Sequence, residues 1–244
     1  MTLRHPEANR AIALEGREVA YLLQRARRSS IGFRVDGAGL SVRAPQAASL
    51  PAIEAALQAK AGWIVRKLAE QGAYQQRLES SRIAWAAGAV LPCLGRPLTI
   101  VLAAGPATRL ADGATDRLVL ALPPDAAPAQ IRSAAHVWLL RQAREHFTAR
   151  LDHFAPLLGV QWTRLTLSSA RSRWGSARID GSIRLNWRLM HYAPEIIDYV
   201  VAHELAHLRY MDHSPRFWST VASVVPDHAA LRRALREQPA SLWE

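Results

Sequence analysis

The sequence predicts an α+β protein, with a β-rich portion carrying one helix over residues 1–124 and a helix-rich portion over residues 125–244. Three observations predict it. Between Arg17 and Leu122 short apolar runs alternate with Gly, Pro and Asp, the chemistry of strands and turns. After Pro128 a long alanine-rich run keeps apolar residues at helical spacing. Near the end of the chain a second such run carries two histidines four residues apart.

The elements follow in order. Val19 to Leu23, Ser30 to Val35 and Leu40 to Val42 read as strands, the last two joined by a turn over Asp36, Gly37, Ala38 and Gly39. Ser49 and Pro51 open one helix through Leu57, Trp63, Ile64 and Leu68, ending near Gly72. Leu98 to Leu102 and Leu118 to Leu122 are further strands. A long amphipathic helix runs from about Ala129 to Leu158 and closes at Gly159, the residue that tolerates a left-handed cap. Leu165 to Ser169 and Ser182 to Trp187 are strands flanking an arginine-rich loop, with a turn at Asp180 and Gly181. Pro194 starts a helix through Leu208, Ser214 and Pro215 cap and start another, and Pro226 with Asp227 begins a last one.

Composition narrows the function. One cysteine, Cys93, excludes an internal disulfide and a thiolate-rich metal site, so any zinc must use histidine and carboxylate. No stretch is apolar for the length a bilayer requires and no secretory leader is legible, so the expectation is a soluble, cytoplasmic protein without a membrane partner. The net charge of +11 invites a polyanion, but Lys60 and Lys67 are the only lysines among 31 basic residues. That skew is what arginine-favouring codons would give whatever the function, and the charge is spread along the chain.

The segment His203, Glu204, Leu205, Ala206, His207 carries the chemistry. Residues four apart on a helix stack on one face, so two imidazoles reach one cation while Glu204 stands beside it. A catalytic zinc takes three protein ligands and keeps one position for water. His213, six residues after His207, is the third candidate, with Glu237 the alternative. The expected chemistry is that of a zinc metallohydrolase: zinc acidifies a water and Glu204, as general base, takes its proton. Metzincin proteases have glycine where Tyr210 stands, so the chain must reach His213 by another local route.

The sequence resembles the YgjP-like family of zinc metallopeptidases, relatives of the SprT-like proteases. The resemblance rests on Arg173, Trp174, Gly175 and Ser176, on Leu185 to Leu189, on Ile197 to Leu208, and on His213, Ser214, Phe217 and Trp218. It implies a zincin-like catalytic portion, residues 125–244, following a β-rich one. It also implies His203, His207 and His213 as Zn2+ ligands, Glu204 as base and a protein or peptide as substrate. Ala177 stands where the family commonly has Cys, and Asp212 where it often has Asn, so a thiol role is excluded here.

For substrate contacts, the Leu185 to Trp187 strand is expected to help form a cleft, with Arg173 or Asn186 near the scissile group and Tyr210 or Tyr192 as oxyanion donors. The opposing reading has Trp174 and Trp187 packing the core. Two other functions stay open. One is a metal-dependent nucleotide pyrophosphatase, against which stands the lack of a phosphate-cradling glycine loop. The other is a nucleic-acid-associated module with structural zinc, needing a fourth ligand such as Asp212 or His228.

Overall fold

The computed structural model describes residues 3–80, 82–104, 109–111, 116–170 and 173–237. Arg171, in the arginine-rich loop, lies outside them. The chain divides into two compact units, Met1–Ser80 and Ser81–Glu244.

In the first unit the strands are β1 (Leu3–Arg4), β2 (Arg10–Leu14), β3 (Arg17–Ala26), β4 (Gly32–Asp36) and β5 (Gly39–Pro45). They form a sheet ordered β1-β3-β5-β4, with β2 antiparallel to the first half of β3. Alternation along β3 and β5 sends Val19, Tyr21, Leu40, Val42 and Ala44 to one face. That face is covered by α1 (Leu50–Ala59) and α2 (Ala61–Ser80), which contribute Ile53, Leu57, Ile64 and Leu68. The single helix expected to Gly72 is therefore two. Lys60 leaves helical geometry at φ −113 and ψ 11, and the second helix continues past Gly72 to Ser80. Ser49 caps the first, its hydroxyl accepting from the Ala52 N–H.

The second unit holds β6 (Val90–Cys93), β7 (Arg96–Ala103), β8 (Arg109–Ala111) and β9 (Arg117–Ala121), ordered β6-β7-β9-β8. Helix α3 (Pro128–Leu158) follows and ends at Gly159 in the left-handed conformation at φ 63. Next come β10 (Arg164–Ser168), β11 (Gly175–Ala177), β12 (Ser182–Asn186) and a 3-10 helix, Trp187–His191. Helices α4 (Pro194–Ala206), α5 (Pro215–Val224) and α6 (His228–Glu237) complete it.

The expected division at residue 124 does not hold. Leu91, Leu98, Ile100, Leu118 and Leu120 share one core with Trp138, Phe147, Leu189, Val201 and Leu205. The β6–β7 hairpin is also tied to the segment leading into α4. Leu94 N–H donates to the Met190 carbonyl at 2.7 Å, and His191 Nδ1 lies 2.7 Å from the Pro92 carbonyl. A Cβ on Gly95 would stand 3.2 Å from Ala193 Cα. Strands with turn punctuation look alike whichever core they join, and only these contacts assign them. Cys93, in the same hairpin, is buried, and burial pushes its thiol up to about 12, which makes it a packing residue.

Burial also pushes His191 down to about 4 from 6.5, aided by the Arg188 charge and opposed by the bond to Pro92. Between those values the unfolded chain binds a proton that the folded one excludes. Stability therefore falls as the pH drops from about 6.5 to about 4, by up to ~1.4 kcal/mol per pH unit. Thermal melts across that range should show the slope, and His191→Gln should reduce it by His191's share, with the other histidines lowered by burial keeping the remainder. An unchanged slope in the variant would place the acid sensitivity in other groups.

Candidate active site

Helix α4 is a core helix, buried at Ile196, Ile197, Val200, Val201, Leu205 and Ala206. Pro194 starts it, and α3 pins it through a bidentate pair: Arg150 Nε to Asp198 Oδ1 at 2.6 Å and Nη2 to Oδ2 at 2.9 Å. His203 lies in its last turn and His207 is its C-cap at φ −63 and ψ −22, still helical, so the two rings stay one turn apart.

The chain then folds back. Tyr210 N–H bonds to the Ala206 carbonyl at 3.0 Å, and no residue from 207 to 213 takes a positive φ. The tyrosine therefore follows a route that needs no glycine. Asp212 Oδ1 accepts from Ser214 N–H at 3.1 Å, and the Ser214 hydroxyl accepts from Phe217 N–H. His213 sits between these two caps, so its place is set by the start of α5.

One nitrogen from each of His203, His207 and His213 lies within 4.8 Å of the others. His203 Nε2 and His213 Nε2 are 3.3 Å apart. Two ligands of one tetrahedral zinc, each at about 2.0–2.1 Å, stand about 3.3–3.4 Å apart, so the spacing fits one ion. His207 Nδ1 lies 3.0 Å from the Tyr210 carbonyl, which assigns the proton to Nδ1 and leaves Nε2 with a lone pair. Burial pushes His203 down to about 3, with the neighbouring imidazoles adding to it, so the ring is neutral as a ligand must be. His207 is also lowered, first by burial.

Glu204 is 6% exposed, and burial pushes its carboxyl up to about 8. Its side chain lies against Gly175 of β11, where an added Cβ would stand 2.6 Å from Glu204 Cγ and 2.7 Å from Cδ. This accounts for the glycine in the Arg173 to Ser176 block: the carboxylate occupies the space a side chain would fill. No sequence pattern announces that contact.

The three-stranded sheet is ordered β10-β12-β11. The strand expected to border the cleft, Leu185 to Trp187, is thus central and has no free edge. Beside Glu204 the edge belongs to β11, hidden in what reads as a loop. Asn186 N–H bonds to the Trp174 carbonyl and Arg178 N–H to the Ser182 carbonyl. Residues 174, 176 and 178 therefore face β12, and the main-chain groups of Gly175 and Ala177 point outward.

Asn186 is 2% exposed and fully engaged. Its amide donates to the Ala170 carbonyl at 2.8 Å and the Arg173 carbonyl at 3.3 Å, and its oxygen accepts from Arg188 N–H. It ties Ala170 and Arg173 to β12 and has no amide hydrogen left for substrate. Tyr210 contributes its carbonyl, while its residue lines a cavity of about 300 Å³ with Leu157, Arg209 and Arg216 in which none of the three histidines takes part. Tyr192 is buried edge-on against Trp174 at 5.1 Å. Arg173 is exposed. Asp212 is occupied with Ser214, and His228 stacks on Trp218 at 5.5 Å; among the described residues only the three histidines form a metal-ligating cluster.

Two aromatic residues that carry the family resemblance, with no role assigned from sequence, stand at the site. Phe217, fully buried, has its ring 4.5 Å from that of His207 and 4.9 Å from those of His203 and His213. Trp218 lies 5.7 Å from His203 and from His213. Their spacing from His213, four and five residues, was the available signal.

Comparison with known proteins gives the family of the chain. The profile of the family described as YgjP-like, metallopeptidase domain, matches residues 29–238. A solved structure, the metallopeptidase zymogen of Pyrococcus abyssi abylysin, is 24% identical over 36% of this chain and 90% of its own, with a TM-score of 0.34. No curated protein matches.

Proposed function

The chain belongs to the YgjP-like metallopeptidase family, and from that premise we propose that it is a zinc-dependent peptidase in which His203, His207 and His213 hold the ion and Glu204 is the general base. The observation that carries this reading is the approach of three imidazole nitrogens to one point beside a buried carboxylate. Zinc, when bound, supplies a Lewis acid that acidifies water and polarises the peptide carbonyl, and its charge favours the ionised form of a carboxylate that burial alone keeps protonated at neutral pH.

The chain's own residues do the rest. Glu204 accepts the proton of the attacking water and returns it to the leaving amine. The Tyr210 carbonyl and the Phe217 ring orient His207. An extended peptide pairs with the outward main-chain groups of Gly175 and Ala177, which brings its carbonyl past Glu204. Beyond the end of β11, Ile179 at 85% exposure and Met211 at 52% flank an open groove that suits an apolar side chain.

The test compares chelator-stripped and zinc-reloaded protein on denatured protein and on nucleoside triphosphates. Peptide cleavage should vanish on stripping and return with one equivalent of zinc, and His213→Ala should bind well under one equivalent. Phosphate release from nucleotides without peptide cleavage would overturn the reading, as would full zinc content in His213→Ala.

A further inference from the structure

Helix α6 packs beside α4 and brings a cationic surface to the site. The Arg232 guanidinium lies 4.9 Å from the centroid of Trp218, on whose ring His228, one helical turn earlier, is also stacked. Trp218 in turn lies 5.7 Å from both His203 and His213. Arg236 follows Arg232 by one further turn. Among the described residues neither arginine forms an ion pair, and the acids at the two ends of this helix, Asp227 and Glu237, do not engage them.

Resting on the peptidase reading above, the geometry points to Arg232, seated on Trp218, as a specificity residue that recognises a carboxylate of the substrate. A guanidinium held over an indole by cation–π attraction loses little freedom when it binds. Its planar fork matches a carboxylate, and among the described residues no acid pairs with it. The position, one aromatic ring away from His203 and His213, sets the carboxylate on the α6 side of the site. A carboxylate reaches this place from an Asp or Glu side chain or from the free C-terminus of the substrate.

The experiment uses the full-length zinc-loaded protein and three peptides of one sequence: glutamate with an amidated C-terminus, glutamine with an amidated C-terminus, and glutamine with a free C-terminus. In wild type one of the two carboxylate peptides should exceed the neutral peptide in kcat/KM by about fivefold, the scale of an accessible ion pair. The preference should shrink as salt rises. Arg232→Ala should bring the ratio to about one, Arg232→Lys should restore part of it, and Arg232→Glu should reverse it, all with zinc content unchanged. Which carboxylate peptide is favoured identifies the source. Peptide cleavage with no carboxylate preference, or with a preference that survives Arg232→Ala, overturns this inference and leaves the peptidase reading intact. If no peptide is cleaved, fluorescence anisotropy of the same labelled peptides on Glu204→Gln separates the two. Arg232-dependent binding of the carboxylate peptides upholds the inference alone, and equal binding of all three removes it. Arg232-dependent turnover of nucleoside triphosphates with no peptide selected would assign the cation to phosphate and overturn it as well.

Discussion

Glu204→Gln should lower peptide turnover by about 10²- to 10⁴-fold while zinc content and fold are kept, because the amide has the shape of the carboxyl and cannot take a proton. The fold is expected to survive for a reason specific to this site. Glu204 is buried deeply enough that its charged form is disfavoured, so a neutral isostere imposes no new desolvation cost. Its neighbour Gly175 accepts the same atoms in the same volume. Zinc content by elemental analysis and single-turnover cleavage of a fluorogenic peptide check both halves. Wild-type turnover in this variant would remove Glu204 from the role of base.

Gly175→Ala should have a comparable effect on rate through a different cause. Its added methyl falls within 3 Å of Glu204 Cγ and Cδ, closer than non-bonded carbons approach. The neighbour that must give is a side chain, so the carboxylate moves and β11 stays. A displacement of about 1 Å at a reacting group costs about a hundredfold. Zinc content and melting temperature should stay near wild type. The double variant Gly175→Ala with Glu204→Gln should be no slower than Glu204→Gln alone, since one acts through the other. Additive losses would show that Gly175 serves the sheet and has no bearing on the base.

The site was legible where function imposes local spacing. His203, Glu204 and His207 lie on one helical turn, and the third histidine, His213, precedes a Ser-Pro helix start that holds it still. The long helix was equally plain, because Pro128 and Gly159 mark its ends and thirty residues of period sum to a clear signal. Short elements with weak periods were not. The strand Arg10–Leu14 carries two alanines, exposed on the sheet's open side, and β11 spans three residues between arginines and an exposed isoleucine. The break at Lys60 follows no proline or glycine.

Asn186 has a residue type that suits catalysis, but what a polar group does depends on the partners that reach it, and its amide is consumed by the carbonyls of Ala170 and Arg173. Periodicity, caps and the spacing of candidate ligands act within a few residues along the chain, so the candidate site and the helix that bears it could be read in one dimension. The meeting of Gly175 with Glu204, and of Leu91, Ile100 and Leu118 with the helical core, joins positions tens of residues apart. Such contacts are chosen by close packing in three dimensions, to which local pattern is blind.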